Sequence, residues 1–252
     1  MSSEMKLMPI VKQIEGTDNK KRLEELKKLL KMHKIAYNVE KYSSGENIII
    51  GKGKILLVAH HDTVPRSPGA NDDASAIAVL IGLTKARKAA IAIFDEEELY
   101  CIGSKEYIKR HNMPKAVVAL EMMGMGDMMA IWPVDEERKL LNKIRAGLNK
   151  IKIPFEEAQK VPSFWADFTA FREAGLKDAW CLTLVPSSEK ELIRNLATRP
   201  LMAVFGMLFS GLPKFFKHYH STLDTSKALS EEALQLSLKA VISVYDELHR
   251  KP

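Results

Sequence analysis

Apolar positions along the chain follow two spacings that alternate from segment to segment. Leu23, Leu26, Leu29 and Leu30 recur on one helical face and predict a helix over roughly 19–33. IAYNVEKY alternates and reads as a strand; ENIIIGKG and KILLVAHH read as the next two, separated by a Gly-Lys-Gly turn. From Asp73 onward, ASAIAVLIGLTKA is helical, with a carboxylate near the first turn, where the helix dipole favours it. KAAIAIF, AVVALEMM, MMAIWP and AWCLTLVP are short apolar runs that read as strands, most of them buried. Helices are expected at SKEYIKRH, over about 135–150 and at DFTAFREAG, the last closed by Gly175. SEEALQLSLKAVISVYDEL forms a long amphipathic helix with Ser230 as its cap.

Apolar strands interleaved with helices imply an α/β fold: a single three-layer αβα domain over 1–252, with a mixed, largely parallel central sheet. No internal repeat, low-complexity tract or linker divides the chain. The segment 187–218 is longer than a connection requires and carries Ile193, Leu201, Val204, Phe205 and several further apolar residues. It is expected to pack into the core, to cover a cleft as a lid, or to form a homo-oligomer contact.

Composition narrows the function. Of 252 residues, 46% are hydrophobic and 28% charged, which excludes a disordered chain. The formal charge of +6 invites a nucleic-acid partner, but Lys and Arg are scattered over helix faces without aromatic interleaving, so none is expected. PLMAVFGMLFSGLP is too short to span a membrane, and MSSEMKLMPI has no secretory pattern. Cys101 and Cys181 suggest no disulfide framework. A cytoplasmic, reduced protein is expected.

The chemistry-bearing residues gather at predicted strand ends, where open α/β sheets bind ligands. His60 ends KILLVAH, and Asp62 lies two residues on, close enough to orient it. Asp72 sits on the loop before a helix, where it could reach two cations. In FDEEELYCIGS, Glu97 and Glu98 should point to opposite sides of an extended backbone, so that one binds metal while the other serves as general base. Glu121 ends AVVALE, and YHSTLDT places His220 on a loop ahead of the last helix. This set has the donors for two adjacent divalent ions sharing a carboxylate.

The ordered series HHD, GANDDASA, EELYCIGS, EMMG, ADFTAF and HSTLDT resembles the di-zinc aminopeptidases of metallopeptidase family twenty-eight, in clan MH, over roughly residues 50–235. The resemblance implies His60, Asp72 and Glu121 as ligands of one ion, and Asp72, Glu98 and His220 as ligands of the other. It implies Glu97 as the base acting on a metal-bridging water, Asp62 as support for His60, and Asp167 as a residue close by. Counting back from Gly103-Ser104 sets the glutamate register. The implied activity is a metal-dependent exopeptidase removing N-terminal residues from peptides. The ions are zinc by donor type, although cobalt or manganese suits the same set. A clan-related deacylase or carboxypeptidase, or a glutaminyl-cyclase-like acyltransferase using one zinc, is the alternative.

The chain departs from the family pattern in four places: Glu121 replaces an aspartate, Ala76 a glycine, Tyr100-Cys101 a Gly-Leu pair, and Phe168 a histidine. Other candidates read more plainly. His61 should point away from the site, His218 is a weaker rival to His220, and Cys101 is expected to be a buried structural thiol. GENIIIGKG lacks the spacing of a phosphate loop.

Overall fold

Strand alternation sends successive side chains to opposite faces of one sheet, and each face finds its own cover. On one face, Ile55, Leu57, Ile91, Ile93, Val118 and Leu120 join a core with most of the helices. On the other, Leu56, Val58, Ala92, Phe94, Val117 and Ala119 pack with aromatic side chains such as Tyr107 and Phe171. The computed structural model describes residues 5–158, 165–191, 194–195 and 217–251.

The elements in order are α1 (Met8–Ile14), α2 (Asn19–Met32), β1 (Tyr37–Lys41), β2 (Glu46–Ile50), β3 (Ile55–His60), α3 (Ala76–Ala86), β4 (Ala90–Phe94) and α4 (Ile102–Arg110). There follow β5 (Ala116–Glu121), β6 (Met128–Trp132), α5 (Lys139–Lys150), β7 (Phe155–Glu157), α6 (Phe168–Glu173), β8 (Ala179–Val185) and α7 (Glu231–His249). Helices α1, α2, α3, α5 and α7 cover the first face, α4 and α6 the second. The expected three layers and mixed sheet are therefore present.

Strand order is β1-β2-β4-β3-β5-β8-β6-β7. The centre is parallel, with β3 paired to β4 on one side and β5 on the other. Chain order thus reverses at β3, which opens a crevice at the carboxyl ends of β3, β4 and β5. Antiparallel pairings flank this centre: β1 with β2, β2 with β4, and β6 with β8.

Caps behave as the side chains dictate. Ser230 accepts from the Ala233 amide and starts α7, and Asp18 does the same for α2 through Lys21. The start of α3 differs from expectation. Regular helix begins at Ala76, because Asp72 and Asp73 hold non-helical dihedrals in a turn over Ala70–Ser75. Their carboxylates bond other loops instead of the helix end.

Two elements without a sequence signal appear, the seven-residue α1 and the three-residue β7. Of the segment 187–218, residues 192–193 and 196–216 lie outside the described residues, and with them the lid or oligomer expectation. No described helix is long and apolar enough to cross a membrane.

Candidate metal centre

His60, the last residue of β3, is 1% exposed and cannot reach solvent for its hydrogen bonds. Its Nδ1 faces the Asp62 carbonyl at 3.1 Å and the Asp62 carboxylate at 3.3 Å, so a proton on Nδ1 is held there and Nε2 is left for a ligand. Asp72 Oδ1 lies 3.1 Å from that Nε2, and Glu121 Oε2, at the end of β5, lies 3.5 Å from it. The second Asp72 oxygen turns the other way. Its Oδ2 is 3.4 Å from His220 Nε2, which in turn is 2.9 Å from Glu98 Oε2. One carboxylate therefore faces two imidazoles with different oxygens, as a bridging ligand must.

Donor atoms of His60, Asp72 and Glu121 all lie within 4.8 Å of one another, as do those of Asp72, Glu98 and His220. These are the two expected sets. A third trio, His60 with Glu97 and Glu98, meets the same criterion. Glu97 Oε2 is 4.0 Å from His60 Nε2, so its carboxylate borders the same space.

The donors fit a pair of divalent cations on grounds of unpaired polarity. Glu98 Oε1 and Glu121 Oε1 are buried without a hydrogen-bond partner among the described residues. Such atoms are costly to desolvate unless a cation meets them. Imidazole and carboxylate donors suit zinc and its first-row neighbours.

Electrostatics among these side chains agree. Burial, reinforced by neighbouring carboxylates, pushes Glu97 and Asp73 well above the usual carboxylate range and Glu121 up to about 7. Burial opposes charge on Asp72 as well, but hydrogen bonds from His220 and His60 outweigh it and hold that carboxyl below its usual range. The imidazoles respond in kind. Despite burial, Glu121 and the bonds to Asp62 and Asp72 raise His60 well above 6.5, and Asp72 with Glu98 raises His220 to about 10. Protons on the two histidines thus stand where cations would otherwise compensate the charge.

Of the residues that aim the candidate ligands, Asp62 alone was expected, as support for His60. Three buried aspartates each accept backbone amides from ligand-bearing segments. Asp62 takes the Glu97 and Glu98 amides, both at 3.1 Å. Asp73 takes those of His60 (3.4 Å) and Met122 (3.2 Å). Asp224 takes those of Asn71 (2.7 Å) and Asp72 (3.1 Å). Asn71 and Ser75 add bonds to the Gly124 and Met123 amides beyond Glu121. Every loop that carries a candidate ligand is tied to another by these bonds.

Glu97 and Glu98 correct one expectation. They lie on a turn after β4 rather than on extended backbone, and Asp62 separates their directions by holding both amides. Left-handed dihedrals concentrate nearby, at Glu96, Tyr100, Cys101, Met122 and His220. For residues with a Cβ these are unfavourable by roughly 1–2 kcal/mol each. They persist where surrounding bonds over-determine the backbone. Tyr100, at φ 65°, occupies the position where the family pattern has glycine.

The remaining candidates sort as expected. His61 points away, with Nε2 3.0 Å from the Glu46 carbonyl, and His218 is half-buried and bonds the Leu223 carbonyl. Cys101 is buried, its thiol 3.8 Å from Glu97 Oε1. Asp167 is fully buried, and burial drives its carboxyl well above the usual range; the charges of Glu121 and Asp62 add to this. Phe168 stacks edge-on against Trp132 with centroids 5.2 Å apart, which explains an apolar residue where a histidine is common. A cleft of about 640 Å³ starts at Asp62 and Glu98 and is walled by Leu23, Val64, Pro65 and Leu99.

Comparison with known proteins places these residues in a wider setting. The profile described as Peptidase family M28 matches residues 39–245. Aminopeptidase YwaD of Bacillus subtilis (strain 168) is 26% identical over 152 residues, 54% of this chain and 33% of YwaD. The structure of BSAP, a zinc aminopeptidase from Bacillus subtilis, superimposes with a TM-score of 0.63 at 19% identity, covering 82% of this chain and 51% of that one. Glutaminyl cyclase of Porphyromonas gingivalis gives a TM-score of 0.66 at 18% identity, covering 96% of this chain and 94% of the cyclase. At these identities the structural likeness is one of fold. The chain spans a third of YwaD and about half of BSAP.

Proposed function

Because the chain belongs to Peptidase family M28, we propose that it is a metal-dependent exopeptidase that removes N-terminal residues from peptides. The observation that carries this reading is Asp72, whose two oxygens face His60 and His220 separately. His60, Asp72 and Glu121 would hold one divalent ion, and Asp72, Glu98 and His220 the other, zinc by donor type. When bound, such a pair lowers the pKa of a shared water and polarises the scissile carbonyl.

The protein's own residues do the rest. Glu97, held above the usual carboxylate range by burial, takes a proton from the attacking water and delivers it to the leaving amine. Asp62 fixes the direction of that base through the Glu97 amide and orients His60 with the same carboxylate. The cleft beside Asp62 and Glu98 offers apolar walls to a substrate side chain. Buried free thiols at Cys101 and Cys181 suit the reducing cytoplasm.

Cyclisation of N-terminal glutamine by acyl transfer is the second reading, favoured by the near full-length match to the cyclase fold. The paired ligand sets about Asp72 support hydrolysis over it. The two separate in one panel of aminoacyl-anilides, N-acetylated amino acids and N-terminal-glutamine peptides. Release of anilide from free aminoacyl substrates is expected, with chelator abolishing it and no turnover of the acetylated set. Pyroglutamyl product without anilide release would establish the cyclase reading instead.

A further inference from the structure

Arg22, on α2, is 1% exposed, yet its guanidinium makes no ion pair within 4.0 Å among the described residues. It donates to carbonyls only: Nε to His61 at 2.7 Å, and Nη1 to Pro68 at 2.7 Å and Gly69 at 3.1 Å. Nη2 is buried without a partner. The loop closes tightly over it, since a Cβ on Gly69 would lie 2.7 Å from Nη1.

A buried arginine ordinarily neutralises one carboxylate in a bidentate pair. Here the fork is spent on carbonyls at both ends of the loop from His61 to Gly69, which joins His60 and Asp62 to Asp72. The Cβ position of Gly69 that is 2.7 Å from Nη1 is also 2.6 Å from the Asp72 carbonyl, so the unpaired guanidinium stands beside the backbone of that candidate ligand. Burial works against its charge, and the carboxylates of Asp62, Asp72, Asp224 and Asp73 support it. Asp62, Asp72, Asp73, Glu97, Glu121 and Asp224 are all buried at the same crevice.

We propose that Arg22 is the fixed positive charge of the metal centre, a positioning residue that stabilises the ion-free ligand loops and weakens their hold on bound cations. This rests on the metal-centre reading above. A like charge tied to the carbonyls of the loop between His60 and Asp72 opposes a divalent ion held by those two residues, and an effect on affinity of about tenfold or more is expected. A residue that merely ties the loop together by its hydrogen bonds would have no such effect.

The test compares variants of the full chain that all lose the guanidinium fork but differ in charge. Arg22→Lys keeps the charge; Arg22→Met and Arg22→Gln remove it, the glutamine retaining a carbonyl-binding amide should the methionine variant fail to fold. Zinc affinity is read by competition with a chromophoric chelator, and melting temperature with and without zinc. The neutral variants are expected to bind zinc about tenfold or more tighter than Arg22→Lys, and to gain more melting temperature from zinc than it does. Equal affinity, or weaker binding by the neutral variants, overturns the proposal and leaves Arg22 as a loop tie. A wild-type chain that binds no zinc would instead remove the metal-centre reading on which it stands.

Discussion

Glu97→Gln is expected to lower kcat about 10²–10⁴-fold while leaving the bound-metal content unchanged. The side chain is 6% exposed, and the substitution keeps its volume, so packing gives no reason for loss. Its backbone stays anchored, because the Glu97 amide bonds Asp62 whatever the side chain carries. What disappears is a basic oxygen 4.0 Å from His60 Nε2, bordering the space between the ligand sets. Glu98→Gln should behave differently, since Glu98 lies 2.9 Å from His220 and has a buried oxygen without a hydrogen-bond partner among the described residues. That variant is expected to lose metal along with turnover. Elemental analysis beside steady-state rates separates the two. If Glu97→Gln sheds metal, then the third trio, with Glu97 as a ligand, describes the centre better.

Removing the metal should invert the pH dependence of stability. In the metal-free protein, burial raises Glu121 from 4.5 to about 7 and Asp224 from 3.8 to about 7, and carries Glu97 in the same direction. The folded state therefore holds protons that the unfolded chain has released. Stability from these groups is complete at the acidic end of that window and is lost as pH rises through about 7. His220 continues the trend, its contribution intact below 6.5 and lost as pH rises through about 10. Asp72 and Asp62 have the opposite sign, but their contribution falls away only below 3.8. Chelated protein should thus melt at higher temperature near pH 5 than near pH 8.

Zinc needs the deprotonated ligands and should stabilise more as pH rises. A thousandfold excess over Kd is worth about 4 kcal/mol per site, or roughly 8–16 °C for a domain of this size. Melting curves from pH 5 to 8, with chelator and with zinc, should diverge toward alkaline pH. Parallel curves would mean that the buried carboxylates do not meet a cation.

The candidate ligands were legible because each stands at a sequence landmark. His60 and Glu121 terminate apolar runs, and Glu98 follows one closely, so the parallel-sheet rule predicts all three at one edge of the sheet. His220 was separable from His218 only through the spacing of HSTLDT. The other supporting residues were not legible for a physical reason. Asp73 and Asp224 act on backbone amides, which carry no residue-specific signal, and their partners are 13 to 153 positions away. Arg22 gave no hint, since a cation in a lysine-rich helix reads as surface. Short elements such as α1 and β7 hold too few residues to display a period. The helix expected from Asp73 failed because a periodic apolar pattern does not reveal that the carboxylates preceding it are needed elsewhere.

The proposed function requires Asp72 to bridge two cations held by His60 and His220, imidazoles from distant parts of the chain. Anomalous diffraction at the zinc edge, from crystals of the zinc-loaded protein, tests it most directly. Two adjacent peaks are predicted, one at about 2.0–2.2 Å from donors of His60, Asp72 and Glu121, the other at the same distance from Asp72, Glu98 and His220. A single peak that leaves one Asp72 oxygen without a metal, or none at this crevice, would contradict a bridging role for Asp72.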